Sequence, residues 1–165
     1  MTDAQRTEVV LRKVVESDLP TFFAHQANPA ATRMAAFTAR DEDAFMAHWR
    51  KTLAEPTGVA RTVVLDGDVA GYVVSWERQE GREIGSWIGE EFWGKGVATR
   101  AVAAFLDEDA TRPLYAHVVK HNAASIRVLQ KCGFSAAGEA TRPPDEHGEA
   151  LVELILVLAA GEPRR

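Results

Sequence analysis

The chain has 165 residues, 46% of them hydrophobic and 26% charged, a size and composition that make one ordinary globular core and exclude a disordered or fibrous polymer. Its 19 Lys and Arg against 24 Asp and Glu leave a net charge of -5, which speaks against nucleic acid as a partner. The single cysteine, Cys132, excludes an intrachain disulfide, and the opening MTDAQRTE carries no apolar run, so a reducing cytoplasm is expected, with no membrane partner.

In chain order, alternation from Glu8 to Val15 predicts a strand. Ser17-Asp18-Leu19-Pro20 then offers an N-cap and a first-turn proline for a helix to about Asn28. Asn28-Pro29 reads as a break followed by an alanine-rich connection, and Asp41-Glu42-Asp43 as the acidic start of a helix to Leu53. Val59 to Leu65 and Val69 to Trp76 form an antiparallel pair around the Asp66-Gly67 turn. Glu83 to Gly89 is a further strand that runs into Glu90-Glu91-Phe92-Trp93-Gly94-Lys95-Gly96 and a helix from Val97 to about Asp109. After Pro113 come a strand at Leu114 to Val119, a short helix opened by Asn122 and closed near Lys131 and Gly133, and two last strands, Phe134 to Thr141 and Ala150 to Leu158. The expectation is an α/β chain, 1–165, forming one domain around a mixed, largely antiparallel sheet flanked by helices.

Two segments carry chemistry. In Trp93-Gly94-Lys95-Gly96-Val97-Ala98-Thr99 the glycines let backbone N–H groups turn toward a ligand, and the following helix adds its positive end, a setting for a pyrophosphate. The segment lacks the third glycine of a dinucleotide fold and the GK[ST] ending of a P-loop, so a different phosphorylated cofactor is needed. The second segment runs from His121-Asn122 through Ser125 to Cys132-Gly133-Phe134, where Asn122 reads both as the cap of a helix and as a ligand contact. The five histidines, His25, His48, His117, His121 and His147, have no metal spacing, and no metal is expected.

Together with Leu11-Arg12 and Asp18-Leu19 near the start, these two segments resemble the GCN5-related N-acetyltransferase (GNAT) superfamily, and within it the RimJ/RimL-type branch. The resemblance implies acetyl-CoA as co-substrate, with its pyrophosphate on the N–H groups of Gly94, Lys95, Gly96, Val97, Ala98 and Thr99. Trp93, Asn122 and Ser125 would be further cofactor contacts. The pantetheine arm would lie along the strand ending at Ile88 and Gly89, where the sheet would splay and a backbone N–H would meet the oxyanion. Departures are visible: Glu91 stands where the superfamily commonly has Gln or Arg, with Lys95 or Arg100 as replacements. Leu129 stands where many members carry the tyrosine that protonates the leaving thiolate. Ser125 is similar in place to a serine of this branch that contacts the CoA thiol.

No general base announces itself. Glu83, Asp145, Glu146, His117 and His121 are candidates, and the glutamate of related enzymes falls close to Pro144 here. An α-amine with a pKa near 8 is about one tenth neutral at pH 7, whereas a lysine is neutral in about one molecule in 2,500, so a weak base favours the former. The acceptor is thus expected to be a peptide α-amine or a small-molecule amine, with the N-terminal helices and the loop at 143–147 around it. The enzyme is expected as monomer or homodimer. A non-catalytic acyl-CoA-binding module is the contrasting class.

Overall fold

Asp66 and Gly67 lie at φ 52° and 81°, the doubly left-handed turn that an Asp-Gly pair favours, and fold β2 (Val59–Leu65) back on β3 (Asp68–Arg78). This geometry comes from a computed structural model that describes residues 8–36, 39–143 and 150–160. With β1 (Val9–Lys13), β4 (Gly81–Ile88), β5 (Leu114–Val119), β6 (Ser135–Arg142) and β7 (Leu151–Leu158), the described strands make one sheet in the order β1-β2-β3-β4-β5-β7-β6. Every neighbouring pair is antiparallel except β4 and β5.

The faces are divided by alternation along the strands. On one side α4 (Val97–Glu108) buries Val97, Ala101, Val102, Phe105 and Leu106, and α5 (Ala123–Lys131) buries Leu129. These residues pack on Val73, Ile84, Leu114 and Leu156 to form the main core. Phe105 has no exposed surface, and truncating it to alanine should cost about 3–5 kcal/mol. On the other side α1 (Leu19–Ala27) and α3 (Glu42–Ala54) bury Leu19, Phe22, Phe45 and Trp49 against Tyr72. Burial raises the Tyr72 phenol to about 12.

Two ion pairs, each built on a buried carboxylate, tie elements that the chain separates. Arg12 grips Asp18 through two 2.8 Å hydrogen bonds, while the Val15 N–H and the Thr62 hydroxyl donate to the same carboxylate. Burial raises the Asp18 carboxyl, but these donors outweigh it and hold it at about 2. Arg12 and Asp18, part of the family resemblance near the start of the chain, are thus joined in a contact that serves the fold. At the end of α4, Asp109 accepts from Arg82 at 2.7 Å and from Ser75 at 2.5 Å, anchoring the helix to β3 and β4.

One expectation is corrected. The alanine-rich connection after Asn28 is a helix, α2 (Pro29–Ala35). Asn28 is its N-cap, accepting from the N–H groups of Ala30 and Ala31, and Pro29 takes the first helical position, where its missing N–H costs nothing. The same dipeptide that ends α1 starts α2.

Candidate active site

The parallel pairing of β4 and β5 covers only Arg82 with Leu114 and Glu83 with Tyr115; beyond those residues the strands part. The backbone of β4 is thereby open along one edge. The Gly89 N–H donates to the Ala70 carbonyl at 2.9 Å, which makes Gly71 and Ile88 a non-hydrogen-bonded pair and turns the Ile88 N–H and C=O away from β3, toward the opening. Alternation aims the polar groups of Ser86 and Ile84 the same way. Of the two donors expected for an oxyanion, Gly89 is thus spent on the sheet and Ile88 faces the gap. The Ile88 carbonyl accepts from the Trp93 indole at 2.8 Å, which fixes that ring at the mouth of the opening.

The loop from Trp93 to Gly96 leads straight into α4. Gly94 and Gly96 lie at φ 77° and 73°, and no heavy atom lies within 4 Å of where a Cβ would project from Gly94, so the loop both needs glycine and leaves room in front of it. Side chains of Asn28, Asp41 and Asn122 cap α2, α3 and α5, whereas α4 begins at Gly96 with no side-chain cap and no acid in its first turn. Its leading N–H groups and helix dipole face the glycine loop, a setting that suits an anion. Arg100 folds over the loop, donating to the carbonyls of Lys95 at 2.9 Å and Gly96 at 3.3 Å. Glu91 instead points its carboxylate at His25, whose Nε2 is 3.6 Å away. Burial lowers the pKa of that imidazole, with Glu91 acting in the opposite sense.

Two cavities meet in the gap. The first, about 260 Å3, is lined by Ile88, Trp93, Gly94, Gly96, Val97, Ala98, Thr99, Asn122 and Ser125, together with Ala31, Met34 and Ala35 of α2. The second, about 180 Å3, shares Ser86, Asn122 and Ser125 with it and adds His117, Arg142 and Glu153. Gly89, Lys95 and Glu83, three of the residues singled out in the sequence, line neither. Asp145 and Glu146 lie outside the described residues. Asn122 caps α5 by accepting from the Ser125 N–H at 3.2 Å, so the Ser125 side chain is not needed for the cap. Leu129 is buried in the core. Cys132 is buried as well, with its sulfur 3.6 Å from the Thr99 carbonyl.

The helix missed in the sequence closes one wall. Arg142 of β6 donates to the carbonyls of Ala36 at 2.7 Å and Ala35 at 3.5 Å. His121 stands 3.1 Å from the Arg33 carbonyl. The C-terminal end of α2 is in this way latched to β6 and to the turn that precedes α5. Nothing local in the sequence signals these contacts, which span 88 to 107 residues.

A mixed sheet parted between two parallel strands, with a glycine loop and helix start at its mouth, makes an α/β cleft suited to an anionic ligand, and the family profile supplies the class. Residues 8–135 match the family profile described as acetyltransferase (GNAT) domain, and the chain belongs to that family of N-acetyltransferases. No curated protein sequence matches the chain. Among solved structures, the ribosomal-protein-alanine N-acetyltransferase of Brucella melitensis is 19% identical with a TM-score of 0.74, covering 91% of this chain and 99% of its own. The spermidine N-acetyltransferase of Vibrio cholerae, solved with CoA and spermine, is 18% identical with a TM-score of 0.79, covering 91% and 94%. YncA of Salmonella typhimurium, solved with its cofactor acetyl-CoA, is 16% identical with a TM-score of 0.74, covering 94% and 96%. Such identities establish a shared fold. Among the described residues no helix is long and apolar enough to cross a membrane.

Proposed function

We propose that the chain, 1–165, acts as one cytoplasmic domain that transfers acetyl from acetyl-CoA to a primary amine, with a peptide α-amine or a small mono-amine as acceptor. The observation that carries this reading is the open β4 edge ending at the uncapped start of α4. The leading N–H groups of α4 and the Gly94–Gly96 loop would hold the pyrophosphate, and the edge at Ser86 and Ile88 offers backbone partners to an amide-bearing arm. The space in front of Gly94 and Gly96, which a Cβ would take, fits such a group.

Bound acetyl-CoA supplies an acetyl group activated as a thioester. The Ile88 N–H faces the gap in which charge would develop on the thioester oxygen, a donor already in place before reaction. Ser125 lines both cavities, and its hydroxyl would serve as the proton donor to the departing sulfur, since Leu129 has none to give. Trp93, held by its bond to Ile88, lines the first cavity.

For the acceptor, the composition of the second cavity is informative. A polyamine carries several positive charges, and among the described lining residues the one carboxylate, Glu153, is 3.3 Å from Arg142 and so already paired with a cation. That favours a single amine over a polyamine, and the RimJ/RimL-type motifs of the sequence support a peptide N-terminus. Calorimetry with acetyl-CoA, followed by a CoA-release assay over peptides with free N-termini, amino acids and polyamines, tests both parts. Absence of acetyl-CoA binding by folded protein would overturn the cofactor reading, and preference for spermidine would overturn the acceptor reading.

A further inference from the structure

Of the described residues lining the two cavities, only His117 and Glu153 carry a side chain that can act as a base. Glu153 is paired with Arg142. His117 stands on β5 two residues past Tyr115, where the strands have begun to part, and Glu83 is the last residue of β4 before the same divergence. Its Nδ1 is 2.8 Å from Glu83 Oε1, an approach that is close but out of line for a hydrogen bond. Such bonds often tighten only when substrate arrives. Arg78 of β3 donates to the same Oε1, and this contact raises the Arg78 pKa, so a guanidinium lies behind the carboxylate that faces the ring. Nδ1 is buried, so the quarter of the His117 side chain that is exposed belongs to the rest of the ring. The other candidates are placed differently: His121 is committed to the Arg33 carbonyl, and His25 is buried against Gly89, where a Cβ would come within 2.6 Å of its ring.

We infer that His117 is the group that takes the proton from the acceptor amine, through Nε2, and that Glu83 positions its ring. The inference rests on the acetyl-transfer reading above. An acceptor arriving as an ammonium gives one proton to Nε2, and its lone pair then forms the N–C bond as the C–S bond breaks. The second amine proton passes to the sulfur by way of the Ser125 hydroxyl, and the imidazolium returns its proton to water. The charged groups around the ring are Glu83 with Arg78, which also meets Glu80, and on the neighbouring strand β7 Glu153 with Arg142, so each carboxylate near the imidazole has its own guanidinium partner.

The test is a kcat/KM profile from about pH 5 to about pH 9, on the best acceptor from the amine and peptide panel, for wild type, His117→Ala, His117→Gln and Glu83→Gln. Acetyl-CoA affinity is measured in parallel by calorimetry, and folding by circular dichroism. Both His117 variants should bind acetyl-CoA normally, lose about a hundredfold or more in kcat/KM and lose the acidic limb. Added imidazole should restore part of the His117→Ala rate. Glu83→Gln should keep a limb displaced to lower pH, because the imidazolium has lost its carboxylate. A wild-type limb and rate in a folded His117 variant would overturn the assignment while leaving acetyl transfer standing; wild-type protein that binds no acetyl-CoA would overturn both.

Discussion

Replacing Gly96 by valine separates the backbone's own demand for glycine from the ligand's. At φ 73° a non-glycine residue pays roughly 1–2 kcal/mol for the left-handed conformation, and a β-branched one sits at the upper end. For a domain this long each kcal/mol moves Tm by about 2–4 °C, so ligand-free Gly96→Val should melt several degrees below wild type. Sterics inside the protein add little, because the nearest heavy atom to the added Cβ is Arg100 Nε at 4.0 Å. The further loss should appear only with ligand. Acetyl-CoA at about a hundred times Kd stabilises wild type by about 2.7 kcal/mol, roughly 5–10 °C, and the variant should forfeit most of that shift. Gly67→Val is the control: its φ of 81° and open surroundings match, but it sits in the β2–β3 hairpin, so it should melt lower yet keep the whole ligand shift. Differential scanning fluorimetry with and without acetyl-CoA reads both quantities. A full ligand shift in Gly96→Val, or its loss in Gly67→Val, would refute the placement of the cofactor at this loop.

Ser125→Ala should leave Tm nearly unchanged, since the Asn122 cap uses the Ser125 N–H, while lowering kcat and kcat/KM together by about a hundredfold; single-turnover kinetics at saturating acetyl-CoA would show it. Asp18→Asn should cost about 2 kcal/mol at pH 7, because the carboxyl is held at about 2 instead of near 3.8. With a lowered pKa that contribution is complete above about pH 4 and lost as pH falls toward about 2, so urea unfolding of the two proteins should converge in that window. Arg142→Ala should free the end of α2, costing about 1–3 kcal/mol, and change amine preference and acceptor KM more than acetyl-CoA affinity. The reverse pattern in calorimetry and initial rates would mean that the acceptor enters elsewhere.

Much of this protein is written in short stretches of its sequence. The Asp66-Gly67 turn, the Asn122 cap, the strand at Leu114–Val119 and the glycine loop before α4 depend on residues within a few positions of one another, so local propensity is enough to read them. Asn28-Pro29 shows where a local signal is ambiguous, because a cap followed by proline ends one helix and starts the next with the same chemistry. Tertiary structure alone decided how far β4 and β5 stay paired, that the Gly89 N–H is spent on Ala70 while Ile88 faces the gap, and that Arg142 and His121 latch α2 over the cavities. It also brought Glu83 and His117 together. These contacts join residues dozens of positions apart, and their partners are selected by how the sheet twists and which faces the helices cover, quantities that no window of the chain contains.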